Sequence, residues 1–142
     1  MAIYSLANRT TNVTIANPTL EIRTTSTDRP RIMEIGIFLA AATASTFGLG
    51  RPQAIGGTPT TPVTVIAEDP GDPAGTVQTA LAWGTPPTVP LYFFRRISLP
   101  ATIGTGVIWT FPRGLLIPVS SSLVVWNITA TGVADIYIVI DE

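Results

Sequence analysis

Short runs of β-branched and aromatic residues, each closed by proline, glycine or asparagine, repeat along the chain, and turn signals recur roughly every ten positions. Segments 3–6, 13–16, 20–25, 31–40, 63–67, 77–83, 91–99, 107–111, 115–117, 123–128 and 133–140 read as strands on this pattern. Residues 77–83 also fit a short helix, and residues 40–45 (Ala-Ala-Ala-Thr-Ala-Ser) are the best helix candidate. They have no charged face and run into Gly48 and Gly50, so an extended connection fits them equally well. Many short strands with regular punctuation point to an all-β fold, an antiparallel β-sandwich or barrel. The long Pro/Gly/Thr-rich stretches 48–62, 68–76 and 84–90 are its loops, and two of them carry the same tripeptide, Gly57-Thr58-Pro59 and Gly84-Thr85-Pro86.

A chain of 142 residues suits one domain spanning 1–142. Within it the first thirty residues, short and Thr-rich and split by Asn8 and Asn17-Pro18, are a candidate extended N-terminal arm. The last strand carries Ala134, Ile136, Ile138 and Ile140 on one face and Val133, Asp135, Tyr137 and Val139 on the other. Segment 123–128 likewise sets Leu123, Val125 and Asn127 against Val124, Trp126 and Ile128. A solvated sheet face alternates to polar residues, so strands apolar on both faces need a cover on both. Apolar residues make up 46% of the chain and charged ones 12%, so its own polar surface is scant, and the expected cover is a neighbouring subunit.

Histidine, cysteine and lysine are all absent. Catalytic triads, thiol chemistry, Schiff bases and most zinc or iron sites are thereby excluded. Paired-carboxylate chemistry remains open, and Glu34, inside an apolar strand, is its most interesting candidate; a partner arginine on a neighbouring strand explains that residue more simply. Glu68, Asp69 and Asp72 share one turn, but Pro70 and Pro73 interrupt it and it lacks EF-hand spacing, so it reads as a polar turn rather than a calcium site. No enzyme, cofactor, metal or small-molecule ligand is expected. A net charge of −1 gives no basic field for nucleic acid or anionic lipid. The opening MAIYSLANRTT lacks the basic and apolar regions of a secretory signal, and the uncharged run 114–134 is too broken by Pro118, Asn127 and Gly132 for a membrane span.

All eight cations are arginines, suited to packed contacts. Arg51, Arg95, Arg96 and Arg113, with Trp109, Trp126, Tyr137 and Val139, are the candidate interface residues. Trp83, beside Gly84 at the start of a loop, is the one tryptophan placed for an exposed sugar-stacking platform.

Four stretches, Arg31-Ile-Met-Glu-Ile-Gly-Ile-Phe-Leu, Gly48-Leu-Gly-Arg-Pro, Ile108-Trp-Thr-Phe-Pro-Arg-Gly and Ile117-Pro-Val-Ser-Ser-Ser-Leu-Val-Val-Trp-Asn, resemble small proteins of tailed-bacteriophage and prophage structural regions. That resemblance implies a jelly-roll sandwich in the virion. Its expected role is capsid decoration (cement), or a tail or fibre component, as a homo-oligomer, with a trimer the first expectation. Its expected partner is the major capsid protein or another virion protein. A carbohydrate- or receptor-binding tail module is the alternative.

Overall fold

The computed structural model describes residues 2–142 and contains thirteen strands and no helix among them. In chain order they are β1 (Ile3–Arg9), β2 (Pro18–Arg23), β3 (Arg31–Leu39), β4 (Ser45–Gly50), β5 (Gly57–Pro59), β6 (Pro62–Thr64), β7 (Ile66–Ala67), β8 (Gln78–Ala80), β9 (Trp83–Thr85), β10 (Phe93–Leu99), β11 (Gly106–Leu116), β12 (Ser122–Asn127) and β13 (Ala134–Asp141). They form a five-stranded sheet A, ordered β11-β3-β13-β1-β7, and a six-stranded sheet B, ordered β10-β4-β12-β2-β8-β6. The ribbon β5-β9 is separate. Every pairing is antiparallel, and the two sheets pack as a sandwich.

The pairs β1–β13, β2–β12, β3–β11 and β4–β10 nest inside one another. Strands β1 to β4 and β10 to β13 alternate between sheets, so each half of the chain wraps around the core as it is laid down. Period-2 alternation sends Ile136, Ile138 and Ile140 inward from sheet A to meet Leu20, Ile22, Phe47, Leu49, Leu123 and Val125 of sheet B, all buried in one core. Each such side chain contributes about 1.5–3 kcal/mol on burial. In β3 the apolar phase slips between Ile32 and Ile35. The structure absorbs the slip as a bulge at Met33, so both isoleucines still point inward.

Several sequence expectations are corrected. The first thirty residues are not an arm, because β1 lies between β13 and β7 and β2 lies between β12 and β8. Segment 13–16 is a turn. Its neighbourhood is pinned by the buried Asn127 amide, whose nitrogen reaches the carbonyls of Asn12, Thr14 and Asn17. Segments 107–111 and 115–117 are one strand with a bulge over 111–114, where Gly114 takes φ +67°. Residues 40–42 form bends, 43–44 are irregular, and the helix candidate's end, Ser45, opens the strand β4. That strand escaped detection because its outward residues include Gly48 and Gly50, which read as loop. Glycine is required there since the Phe93 ring lies against one and Pro90 against the other.

Sheet B is covered on its outer face by the chain itself. Every residue of β4 and β12 is buried, including the outward-facing Val124 and Trp126. The β1–β2 connection lies over Trp126, whose indole N–H donates to the Ile15 carbonyl at 3.2 Å. The long excursion between β4 and β10 covers the rest, and it is fastened by Glu21. This carboxylate is fully buried. It accepts from the Gly56 amide at 3.0 Å and the Trp83 indole N–H at 2.7 Å, and it pairs with Arg23 on its own strand. Gly56 must be glycine, because a Cβ there would press on both Trp83 and Glu21. The two Gly-Thr-Pro tripeptides meet in this cover, with Gly57 opposite Thr85 and Pro59 opposite Trp83. The sequence-based expectation that a neighbouring subunit covers segment 123–128 is therefore overturned.

Removing the Glu21 carboxylate would leave a buried Arg23 guanidinium, an indole N–H and an amide without their acceptor. Breaking one partner of a buried pair costs about 3–5 kcal/mol. Urea unfolding of Glu21→Ala should show a loss of that size; a loss below about 1 kcal/mol, the scale of an exposed pair, would contradict the assignment.

Candidate interaction surface

With sheet B closed, the outer face of sheet A is the broad open face. Register places its side chains in rows across the strands. One row runs Ile108, Gly36, Tyr137, Ala7, and the next runs Thr110, Glu34, Val139, Ser5, Ile66. Ile108 and Ile66 are 51% and 70% exposed, and Phe38, Tyr137 and Val139 are half-buried. Two shallow grooves cross the face. One, of about 320 Å³, lies between Phe38, Tyr137 and the Arg9–Asp135 pair. The other, of about 540 Å³, lies between β1 and the β6–β7 segment, with Tyr137 at its inner end.

Tyr137 organises the centre of the face. Its ring lies flat over Gly36, where any Cβ would overlap it, and its hydroxyl donates to Glu34 at 2.6 Å. The expected arginine partner of Glu34 is thus replaced by a tyrosine. Donation to a carboxylate, together with burial and the negative charge of Glu34, raises the Tyr137 phenol above its ordinary value. At the top of the face Arg9 makes two contacts to Asp135, at 2.8 and 3.0 Å, which hold that carboxyl below its usual range. Both partners are more than half exposed, so the pair adds little stability.

The arginines gather along one lateral edge of the sandwich, where β10 and β11 lie side by side. Arg51 donates to the Leu116 carbonyl at 2.6 Å, and its guanidinium sits 5.0 Å from the centroid of the Phe94 ring. Arg95 sits 5.3 Å from the Phe111 centroid, across the gap between the sheets. Arg96 and Arg113 are exposed. Among the described residues, none of the four forms an ion pair with a carboxylate of the chain. Leu91, Tyr92 and Phe94 are exposed on the same edge, Tyr92 at 85%.

Of the eight residues singled out from the sequence, Tyr137 and Val139 lie on the open face, and Arg51, Arg95, Arg96 and Arg113 lie along the basic edge, Arg95 and Arg113 on one groove and Arg96 on the other side of β10. Trp109 and Trp126 belong to neither. Trp109 points into the core against sheet B, and Trp126 lies beneath the β1–β2 connection, so both are interior side chains. Trp83 is no free platform either, because its indole is half-buried and bonded to Glu21. Phe38, Ile108 and Ile66 join the face only through strand register. The sequence signal for Ile108 and Ile66 was an aliphatic residue out of phase with buried neighbours, Trp109 in one case and Val65 in the other.

At the opposite end from the Arg9–Asp135 pair, Asp28, Asp141 and Glu142 line a cavity of about 260 Å³ with Arg29 and Arg31. The Thr25, Thr76 and Thr27 hydroxyls hold the Asp28 carboxyl below its usual range, and Glu142 accepts from the Thr76 amide at 2.8 Å. Asp28 and one Glu142 oxygen are thus held by the chain's own hydroxyls and amide, whereas Asp141 Oδ1 and Glu142 Oε2 are buried without a hydrogen-bond partner. No group of three metal-ligating side chains occurs among the described residues, and no helix there is long and apolar enough to cross a membrane.

Comparison with protein-family models, with curated proteins and with solved structures found no match.

The raised Tyr137 phenol has a testable consequence. Stabilisation from the neutral phenol is fully present below the ordinary tyrosine value, about 10, and is lost as pH rises through the higher folded value. Ultraviolet titration, with Tyr137→Phe as the subtraction, should place Tyr137 above an ordinary tyrosine, and Glu34→Gln should bring it down. An unchanged midpoint in Glu34→Gln would contradict the hydrogen bond as its main cause.

Proposed function

We propose that this chain is a structural protein of a tailed-phage virion, most simply a capsid decoration protein. It self-associates, with three copies as the first expectation, and seats the outer face of sheet A on a lattice of the major capsid protein. In the same reading the nested wrap of β1–β4 around β10–β13 is a jelly roll, with the β5–β9 excursion inserted between its halves. The observation that carries the proposal is the asymmetry of the two outer faces. Sheet B is closed by the chain's own loops, whereas sheet A presents Ile108, Phe38, Tyr137, Val139 and Ile66 in aligned rows without a cover. The resemblance of the four sequence stretches to tailed-phage structural proteins supports the setting.

The mechanism is mechanical. Each Å² of apolar surface removed from water contributes about 25 cal/mol, so about 400 Å² only offsets an association cost of about 10 kcal/mol. The exposed aliphatics of one copy make a contact of that modest order. An oligomer that engages several lattice positions at once converts later contacts into intramolecular ones, and avidity rises without new chemistry. A weak face repeated by symmetry fits decoration of a preformed shell.

The test uses virus particles purified from cells that encode the chain, with mass spectrometry to count copies and electron microscopy to locate them. The chain should be present in a copy number set by the shell symmetry. Added Ile108→Asp protein, altered at an exposed site, should fold normally yet fail to bind particles that lack the chain. Particles devoid of the chain, or undiminished binding by Ile108→Asp, would contradict the proposal.

A further inference from the structure

The two lateral edges of the sandwich carry opposite charge. On the β10–β11 edge Arg95 and Arg113 line one groove, Arg51 donates to the Leu116 carbonyl of β11, Arg96 lies beside Gly48 on the outer side of β10, and Arg31, one strand in, reaches the Arg113 carbonyl at 3.0 Å. On the β6–β7 edge the chain leaves β7 directly into Glu68, Asp69 and Asp72, the first two exposed. Glu68 is fixed there by its amide, which donates to the Ile3 carbonyl at 2.8 Å, and by the Ser5 hydroxyl that donates to its carboxylate. Asp69 accepts from the Gly71 amide at 2.8 Å, which orders the turn. Each edge also offers apolar surface: Tyr92, Phe94 and Leu91 on the basic side, and on the acidic side Ile66 beside the groove along β1.

Neither edge is shaped to extend its sheet. β11 is bulged over 111–114 and contains Pro112, β10 is bulged between Phe93 and Arg95, β6 begins at Pro62, and β7 has two residues. Bulges, prolines and very short strands blunt edges against strand addition. Any contact made there uses side chains. Arg95 and Arg113, which line one groove without a paired carboxylate, also repel one another in the isolated chain, and an acidic neighbour relieves this.

We infer that copies of this chain assemble head to tail, the basic β10–β11 edge of one against the acidic β6–β7 edge of the next, in a heterologous contact. The inference rests on the self-association proposed above and specifies which surfaces make it. Because the two patches differ and lie on opposite sides of the molecule, one contact leaves a free edge of each kind, so the contact repeats from copy to copy and gives a ring where the rotation closes and a filament where it does not. The outer face of sheet A lies between the two edges and stays free for the lattice.

The test is solution mass by light scattering on three proteins: the wild type, the double variant Arg96→Glu with Arg113→Glu, and the double variant Glu68→Arg with Asp69→Arg. All four positions are exposed, and circular dichroism with thermal unfolding checks that each variant keeps the wild-type fold. Neutral counterparts (Arg96→Gln with Arg113→Gln) provide a milder version should reversal unfold the chain. The wild type should assemble, and each double variant should associate at least about tenfold more weakly, in line with the cost of like-charge juxtaposition. An equimolar mixture should regain mass above either variant alone, since an intact acidic edge then meets an intact basic one. Wild-type mass in both variants, or a mixture that stays monomeric, would overturn the head-to-tail contact while leaving self-association standing. A wild type that is monomeric at every concentration would instead remove self-association itself.

Discussion

A sheet with apolar residues on both faces, in a chain without helices, has to find its second cover somewhere, and here it folds its own loops over the sheet. The carboxylate of Glu21 is the peg. It lies fully buried on the outer face of β2, in a row with Val124 and Gly50, and collects the Gly56 amide, the Trp83 indole and the Arg23 guanidinium. A buried charge is tolerated only when it is paired and hydrogen-bonded, so the excursion that brings Gly56 and Trp83 must dock for Glu21 to be accommodated. The cover and the charge therefore require each other. The proline density of that excursion works in the same direction, because stiff loops lose less entropy on docking.

Closing sheet B divides the molecule. One outer face is sealed, the other is open, and the two lateral edges are blunted and oppositely charged. Few surfaces remain for partners, and they differ in chemistry: an apolar face suited to a broad docking contact, and polar edges suited to steering and register. The scarcity of charge in the sequence then has a simple structural meaning. Much of the apolar content is consumed by a third layer within the chain, and the exposed remainder includes Ile66 and Ile108 on the face of sheet A, Leu91, Tyr92 and Phe94 at the basic edge, and Ile15, Ile55 and Val89 on the cover itself.

The strands that pack against the core were legible because their alternation is strict. β13 shows Ala134, Ile136, Ile138 and Ile140 at every second position, and all four are buried. β4 was hidden because its outward positions are glycines whose role is to admit Phe93 and Pro90, and a missing side chain leaves no periodic signal. The charged residues were the least legible. Glu34 and Glu21 are each an acid in an apolar strand, yet the donor to Glu34 is a tyrosine on the next strand, and besides the local Arg23 the donors to Glu21 are an indole and an amide far along the chain. No local pattern reports partners that distant. Trp126 was misread for a related reason, since covering it depends on a turn that itself hangs on the buried amide of Asn127.

Amide hydrogen exchange at Gly56 tests most directly whether the excursion is a docked layer rather than a loose loop. This amide donates to a buried carboxylate 35 positions away and belongs to no core strand, so its protection reports the cover alone. A docked layer slows this exchange by at least about a thousandfold relative to an unstructured peptide, comparable to the opening of a cooperative unit. Exchange at the rate of a free loop, with the β12 amides still protected, would show that the outer face of sheet B is not held closed by its own chain.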